Sequence, residues 1–190
     1  MNSIVFFRLF LYLDSKSKTM AVLKEDNNPK TKYFDSLKRN AIPLISWEFS
    51  NSFQKQIKNI VLDTHRISNL AQDKKWKNVN WNFRNKLEEK VILITDSKLN
   101  IVFASHNMRK MNGYVENEVL GKTPKMFQGK ETVLNTSSEI REAIALRKPF
   151  VKQVLNYKKN GERYYCNIEG FPIFNKKGEL VNFIAFEEAA

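Results

Sequence analysis

A change in the spacing of apolar residues at Val91 constrains the fold of this 190-residue chain more than any other feature of its sequence. From that point two β-branched and aromatic runs, VILIT and IVFAS, are joined by the turn residues 96–100, which predicts a hairpin. Short helical pieces over 107–121 and a longer helix over about 136–147 come next. This order favours an α+β fold.

Three further strands are predicted at the end of the chain. Residues 150–158 and 163–174 flank Asn160-Gly161, a dipeptide typical of two-residue hairpin turns, and a third strand covers 179–188. The sequence therefore predicts a five-stranded antiparallel sheet with helices between strands two and three.

An amphipathic helix is predicted before the sheet. It follows a capping residue at Ser50 or Asn51, and its apolar residues recur at spacings of three and four: Phe53, Ile57, Ile60, Val61, Thr64, Ile67 and Leu70. This stripe packs against the sheet domain, or pairs with the same helix of a second chain as a homodimer, and both can be true together. We expect 1–40 to be a disordered tail or linker, 41–89 a helical extension, and 90–188 the folded domain.

The charge balance and the single cysteine limit the classes of function. The net charge is +12, and residues 1–90 carry 17 Lys and Arg against 9 Asp and Glu. Such a surface is either merely solvated or contacts nucleic acid, an anionic membrane or an acidic protein. The apolar run Ile4 to Leu13 is too short to span a bilayer, which takes about 20 residues. Cys166 is the only cysteine, which fits a reducing, cytoplasmic setting.

Several segments, in order, carry a family resemblance: VILITD, IVFAS, MNGY, GKTPKMFQGKET, SSEIREAI, LNYKKNG and GELVNFIAFE. Together they resemble PAS domains, and their motifs are similar to the light-oxygen-voltage (LOV) type. The resemblance implies a PAS fold, in which helices cover the concave face of a curved sheet and a flavin nucleotide sits between them in the light-sensing members.

The resemblance also shows which flavin contacts are replaced. Pro124 stands where the photoreactive cysteine of the LOV type is expected, so the thiol adduct has no nucleophile. Thr123 replaces an asparagine, Lys125 replaces a phosphate-binding arginine without its bidentate fork, and Ser138 replaces a second arginine.

Five positions are the candidate pocket residues implied by the resemblance: Lys125, Gln128, Asn156, Cys166 and Glu187. Gln128 and Asn156 match the family. Cys166 replaces a ring-contacting asparagine, and the neighbouring Asn167 points to the other face of the strand. Glu187 replaces the signalling glutamine and donates no hydrogen bond unless it is protonated. The sequence does not specify the ligand, and we expect one other than flavin, or none.

The function that these observations favour is a PAS sensor or adaptor in signal transduction, without an effector domain in the chain, that acts on a signalling kinase or regulator. We expect no enzymatic activity, because no catalytic arrangement is present. His65 and His106 have no metal-ligand spacing. The alternatives are a nucleic-acid-associated protein that uses the PAS fold as a scaffold, and a flavin-binding redox or light sensor without adduct chemistry.

Overall fold

The computed structural model describes residues 42–77 and 81–190, with side chains from residue 50 onward. Contacts divide the chain between Asn51 and Ser52, and the sheet lies in the second unit, Ser52–Ala190. Five α-helices and one 3₁₀-helix are described: α1 (Ile42–Asp73), α2 (Phe83–Glu89), α3 (Met108–Asn112), α4 (Glu116–Val119), the 3₁₀-helix (Pro124–Phe127) and α5 (Leu134–Ala145). The described strands are β1 (Val91–Asp96), β2 (Ile101–Ala104), β3 (Phe150–Tyr157), β4 (Arg163–Phe174) and β5 (Leu180–Ala189).

All neighbouring strands are antiparallel, in the order β2-β1-β5-β4-β3, so β5 is the central strand. The helices α3, α4 and α5 and the 3₁₀-helix lie between β2 and β3 in the chain. The predicted α+β PAS fold, with a helix before the sheet, is confirmed.

One face of the sheet, which we call the convex face, carries the larger apolar core. Ile92, Ile94, Ile173, Ile184 and Phe186 are buried there against apolar residues of α1 and α2. Trp76 and Trp81, on either side of the undescribed residues 78–80, pack into the same core. Trp76 and Trp81 thus anchor the described parts of the connection between α1 and α2 to the sheet.

The opposite face, the concave face, is covered by the helices between β2 and β3. Val91 and Leu93 of β1 pack there with Met108 of α3, Val119 of α4 and Phe127 of the 3₁₀-helix. Helix α5 lies against β3.

Helix α1 is longer than the sequence predicts. It begins at Ile42, because Pro43 falls in the first turn, where its missing N–H leaves no hydrogen bond broken. Ile60 and Ile67 are buried against the sheet, so the predicted packing on the sheet domain is confirmed. Ile57 and Val61 are exposed on the outer side.

Two other predictions need correction. The β3–β4 connection is longer than a two-residue turn: Lys158 N donates to Glu162 O, Gly161 N donates to Lys158 O, and only Gly161 takes the left-handed φ of +86°. Asn160 has no positive φ, which a two-residue turn of this type requires. Helix α5 begins at Leu134 and ends at Ala145, rather than covering 136–147, and Arg147 lies beyond it and is exposed.

Replacing Ile94 by aspartate should prevent folding. Ile94 has 0% exposure in the convex core, and an unpaired carboxylate there costs at least several kcal/mol. The matched control is Val102→Asp on the neighbouring strand, which is 39% exposed. Circular dichroism and urea denaturation compare the two, and a cooperative transition in Ile94→Asp at wild-type urea concentration would contradict this core assignment.

Candidate functional site

Three of the predicted pocket residues meet on the concave face. Cys166 of β4 pairs with Val154 of β3, and Asn156 pairs with Tyr164, so these side chains share one face. Glu187 of β5 is opposite Ile168, which lies two residues from Cys166 and so on the same side. Asn167 points to the other face, where its side chain accepts a hydrogen bond from Gln153.

Glu187 is the buried acid of this face. It is 5% exposed, and the hydrogen bond described for its carboxyl is a weak one from the Cys166 thiol, with Sγ 3.9 Å from Oε2. Burial raises the pKa of Glu187 to about 7, a shift that the Cys166 contact opposes. The protonated form that could donate a hydrogen bond is therefore well populated near neutral pH.

Cys166 itself is fully buried. Burial raises the pKa of its thiol far above the ordinary value, and the neighbouring Glu187 charge raises it further. A thiol in this state is a poor nucleophile, since the thiolate is the reactive form. Cys166 packs as a small apolar residue, as its residue type predicts.

Buried polar groups without partners extend this face, and the sequence analysis missed them. The Thr95 hydroxyl, Asn112 Nδ2 and the Tyr164 hydroxyl are buried with no hydrogen-bond partner among the described residues. Burial raises the pKa of Tyr164, while the amides of Asn112 and Asn156 lie close enough to oppose that shift without reaching hydrogen-bond geometry. Because side chains alternate along a strand, Tyr164, two residues from Cys166, could have been predicted to lie on this face.

The remaining predicted contacts do not join this group. Thr123 and Lys125 are exposed at the 3₁₀-helix, and Pro124 and Gln128 are half-buried at its two ends. Ser138 is exposed on α5. The structure thus brings together the strand residues Asn156, Cys166 and Glu187. Lys125 and Ser138, at the two positions where the resemblance implies phosphate-binding arginines, lie at the surface.

The loop after the 3₁₀-helix is fixed to the sheet edge. Thr132 Oγ1 donates to Leu155 O at 2.6 Å and accepts from Gly129 N at 3.0 Å. A Cβ at Gly129 would lie 2.4 Å from the Tyr157 ring, so only glycine allows this approach. These contacts hold the residues that follow Gln128 against β3.

A groove of about 980 Å³ runs between α1 and the sheet domain. One wall is formed by α1, with Ile60 and Asp63, and another by Tyr114 beyond α3. Glu187 also lines it, at the end of β5. The buried carboxyl of the concave face and the helix α1 therefore border one cavity.

Polar contacts hold α1 over this groove. Asp63 is 2% exposed, and its carboxylate accepts from His106 N at 2.8 Å and contacts His106 Nδ1 at 2.7 Å. Arg66 reaches Glu116 of α4 at 2.6 Å, and Glu116 in turn accepts from Ala104 N. His106 is thus a partner of α1, a role that its position in the sequence did not indicate. His65 is exposed and contacts Asn69.

The part of the chain that the structure describes shows neither a metal-binding cluster nor a membrane-spanning helix. No group of three or more His, Cys, Asp or Glu side chains there is placed to hold a metal ion. None of the helices in the same part of the chain is long and apolar enough to cross a membrane.

A five-stranded antiparallel sheet that encloses polar side chains beneath interposed helices defines a class of small α+β sensor domains. The family model described as PAS domain matches residues 89–188, more than half of the chain. The chain belongs to the PAS domain family.

The similar proteins support the predicted likeness to the LOV type. Protein TWIN LOV 1 of Arabidopsis thaliana is 40% identical over 88 residues, which is 46% of this chain and 22% of that protein. The Blue-light-activated histidine kinase of Brucella ovis is 35% identical over 85 residues, 45% of this chain and 17% of that protein. The chain thus matches about a fifth of the length of these relatives. The light-state structure of the blue-light photoreceptor Aureochrome1 LOV superposes with a TM-score of 0.52 and 26% identity, covering 56% of this chain and 85% of that one.

The stability of the protein should depend on the ionisation of Glu187. In the unfolded chain a glutamate titrates near about 4.3, whereas burial holds the folded-state pKa at about 7. The native state prefers the protonated form, so the free energy of unfolding falls by roughly 3 kcal/mol as pH rises through this window. Glu187→Gln cannot ionise and should lack this loss.

Urea denaturation at about pH 5 and about pH 8 tests this. The variant should gain stability relative to the wild type only at the higher pH. Glu142→Gln, at an exposed position of α5, is the control and should follow the wild type at both. A constant difference between Glu187→Gln and the wild type would show that Glu187 is not buried as described.

Proposed function

We propose that the chain is a PAS sensor or adaptor in signal transduction, which responds to a small ligand other than flavin or to a change at Glu187 and acts on a protein partner through α1. One observation carries the proposal. Glu187, which belongs to the polar concave face, lines the same groove as Ile60 and Asp63 of α1. A change in the charge or hydrogen bonding of this carboxyl would therefore alter the electrostatic environment of the residues through which α1 packs on the sheet domain.

The concave face supports a ligand of modest size. Buried polar groups in proteins are normally paired, yet Asn112 Nδ2 and the Tyr164 hydroxyl are not. A water, or a small molecule with both donor and acceptor groups, would satisfy them. Because Asn112 and Tyr164 are themselves 0% and 8% exposed, a molecule larger than water enters only when the covering atoms move. Glu187 then offers an additional acceptor or, when protonated, a donor.

The same side chains do not fit a flavin in this arrangement. Asn156, Cys166 and Glu187 are 4%, 0% and 5% exposed, so other protein atoms already cover the surface that the ring would contact. Pro124 offers no thiol and Lys125 no bidentate fork for a phosphate. The LOV-type sequence relatives make flavin the natural comparison, and these packing contacts support a different ligand.

The contacts that hold α1 on the sheet domain suit a conformational switch. The Arg66–Glu116 ion pair is partly exposed, so solvent can compete with it, while Asp63 is buried against His106. Ile60 and Ile67 supply apolar burial. Ile57 and Val61 are one turn apart and exposed on the outer side. This outer surface is where we place the protein partner, a signalling kinase or regulator, or the second chain of a homodimer. The histidine kinase among the relatives supports the first of these.

Hydrogen exchange of the α1 amides tests the coupling. Ionised Glu187 adds negative charge to a groove that already holds the Asp63 carboxylate, and this weakens α1 docking. At about pH 8, Glu187→Gln should slow exchange in residues 60–67 more than in β3, which pairs only with β4. At about pH 5 the two proteins should exchange alike.

Glu142→Gln serves again as the matched control. Equal slowing in α1 and β3 would mean that the variant changes only global stability, and unchanged exchange in α1 at both pH values would mean that the interior and the helix are not coupled. Either result would overturn the proposed function.

A further inference from the structure

Lysines from three separate segments meet at one end of the sheet. They lie at the end of α1, in the β1–β2 turn and in the β4–β5 turn. All six are exposed: Lys74, Lys75, Lys77, Lys98, Lys176 and Lys177. We call this set the lysine cluster.

Backbone contacts hold the first and third segments together. Lys176 N donates to Lys75 O at 3.0 Å, and Lys77 N donates to Phe174 O at 2.9 Å. Between them Trp76 forms a β-bridge with Asn175 and is buried in the convex core. The spacing of these lysines is therefore fixed by the fold.

The β1–β2 turn leaves the sheet at the same end. Asp96, the last residue of β1, pairs with Asn182 of β5, and Leu180 pairs with Phe174 of β4. Both turns extend beyond these pairs, so Lys98 lies at the same end of the sheet as Lys176 and Lys177.

Carboxylates do not neutralise the cluster. The three in these segments are Asp73, Asp96 and Glu179, against six lysines. Asp96 accepts hydrogen bonds within its own turn, from Lys98 N and Asn100 N, and Glu179 accepts from Asn175 Nδ2. None of the six lysines forms an ion pair within 4.0 Å among the described residues. The excess positive charge attracts a polyanion.

We propose that the lysine cluster binds the phosphate backbone of duplex nucleic acid without reading its sequence. Lysine is a compact point charge suited to phosphate, and several lysines in a fixed array match a regular line of phosphates. The aromatic residues of these segments, Trp76 and Phe174, are buried or half-buried, so no exposed ring is offered for stacking on single-stranded bases.

The composition of the cluster favours nucleic acid over a membrane. Peripheral membrane binding combines basic residues with an apolar surface that enters the interface. None of the exposed large apolar residues of the described chain lies in the three segments. Attraction through charge alone, in a chain of net charge +12, fits a phosphate backbone in solution.

Fluorescence anisotropy of a labelled duplex of arbitrary sequence, over a salt series with the full chain, tests the proposal. We expect a dissociation constant of about 10⁻⁴ to 10⁻⁶ M near physiological salt. The slope of log K against log salt changes by about 0.9 for each phosphate contact, so Lys74→Gln/Lys177→Gln should make it shallower by roughly two. Both substitutions leave the backbone hydrogen bonds of these residues in place.

Lys130→Gln/Lys148→Gln is the control, because it removes the same charge from exposed positions outside the cluster and should leave the slope unchanged. An equally shallower slope in both double variants would show that net charge, not the cluster, binds the duplex. Failure to bind duplex at low salt, with binding to phosphatidylserine vesicles, would assign the cluster to a membrane. Either outcome overturns the proposal, and Glu187→Gln should not affect duplex binding.

Discussion

The register of the central strand β5 is the constraint on which the rest of the structure depends. Side chains alternate along this strand, so Ile184 and Phe186 enter the convex core while Ala185 and Glu187 face the helices. A slip of one residue against β1 would drive the Glu187 carboxylate into the apolar core and turn Phe186 to the concave face. The apolar residues of β5 therefore fix the register, and the register places Glu187 beside Cys166 on the polar face.

This arrangement keeps the architecture of the family while changing the chemistry of its interior. An acid with a pKa of about 7 and a thiol that stays protonated stand where the LOV resemblance implies two amides. Such a pair cannot flip an amide, and under the proposed function it responds to protonation and to hydrogen-bond donors. Under the proposed function the groove shared with α1 links Glu187 to the helix, where Asp63 contacts His106 at 2.7 Å.

The sequence predicted strands well where burial alternates and failed where distant segments meet. The limits of β4 were predicted to the residue, because apolar alternation and the flanking turns agree. The predicted start of α1 was wrong. A proline predicts the end of a helix unless it falls in the first turn, as Pro43 does. The partnership of Asp63 with His106 and the lysine cluster depend on tertiary contacts between segments far apart in the chain. No local pattern encodes them.

An absorption spectrum with native mass spectrometry of the freshly purified protein tests most directly the claim that the family fold is kept without its flavin chemistry. We expect no flavin absorption in the visible range and either the unmodified protein mass or a small non-flavin adduct. A stoichiometric flavin nucleotide would contradict it, because the ring could bind only if Asn156, Cys166 and Glu187 were uncovered in the cell.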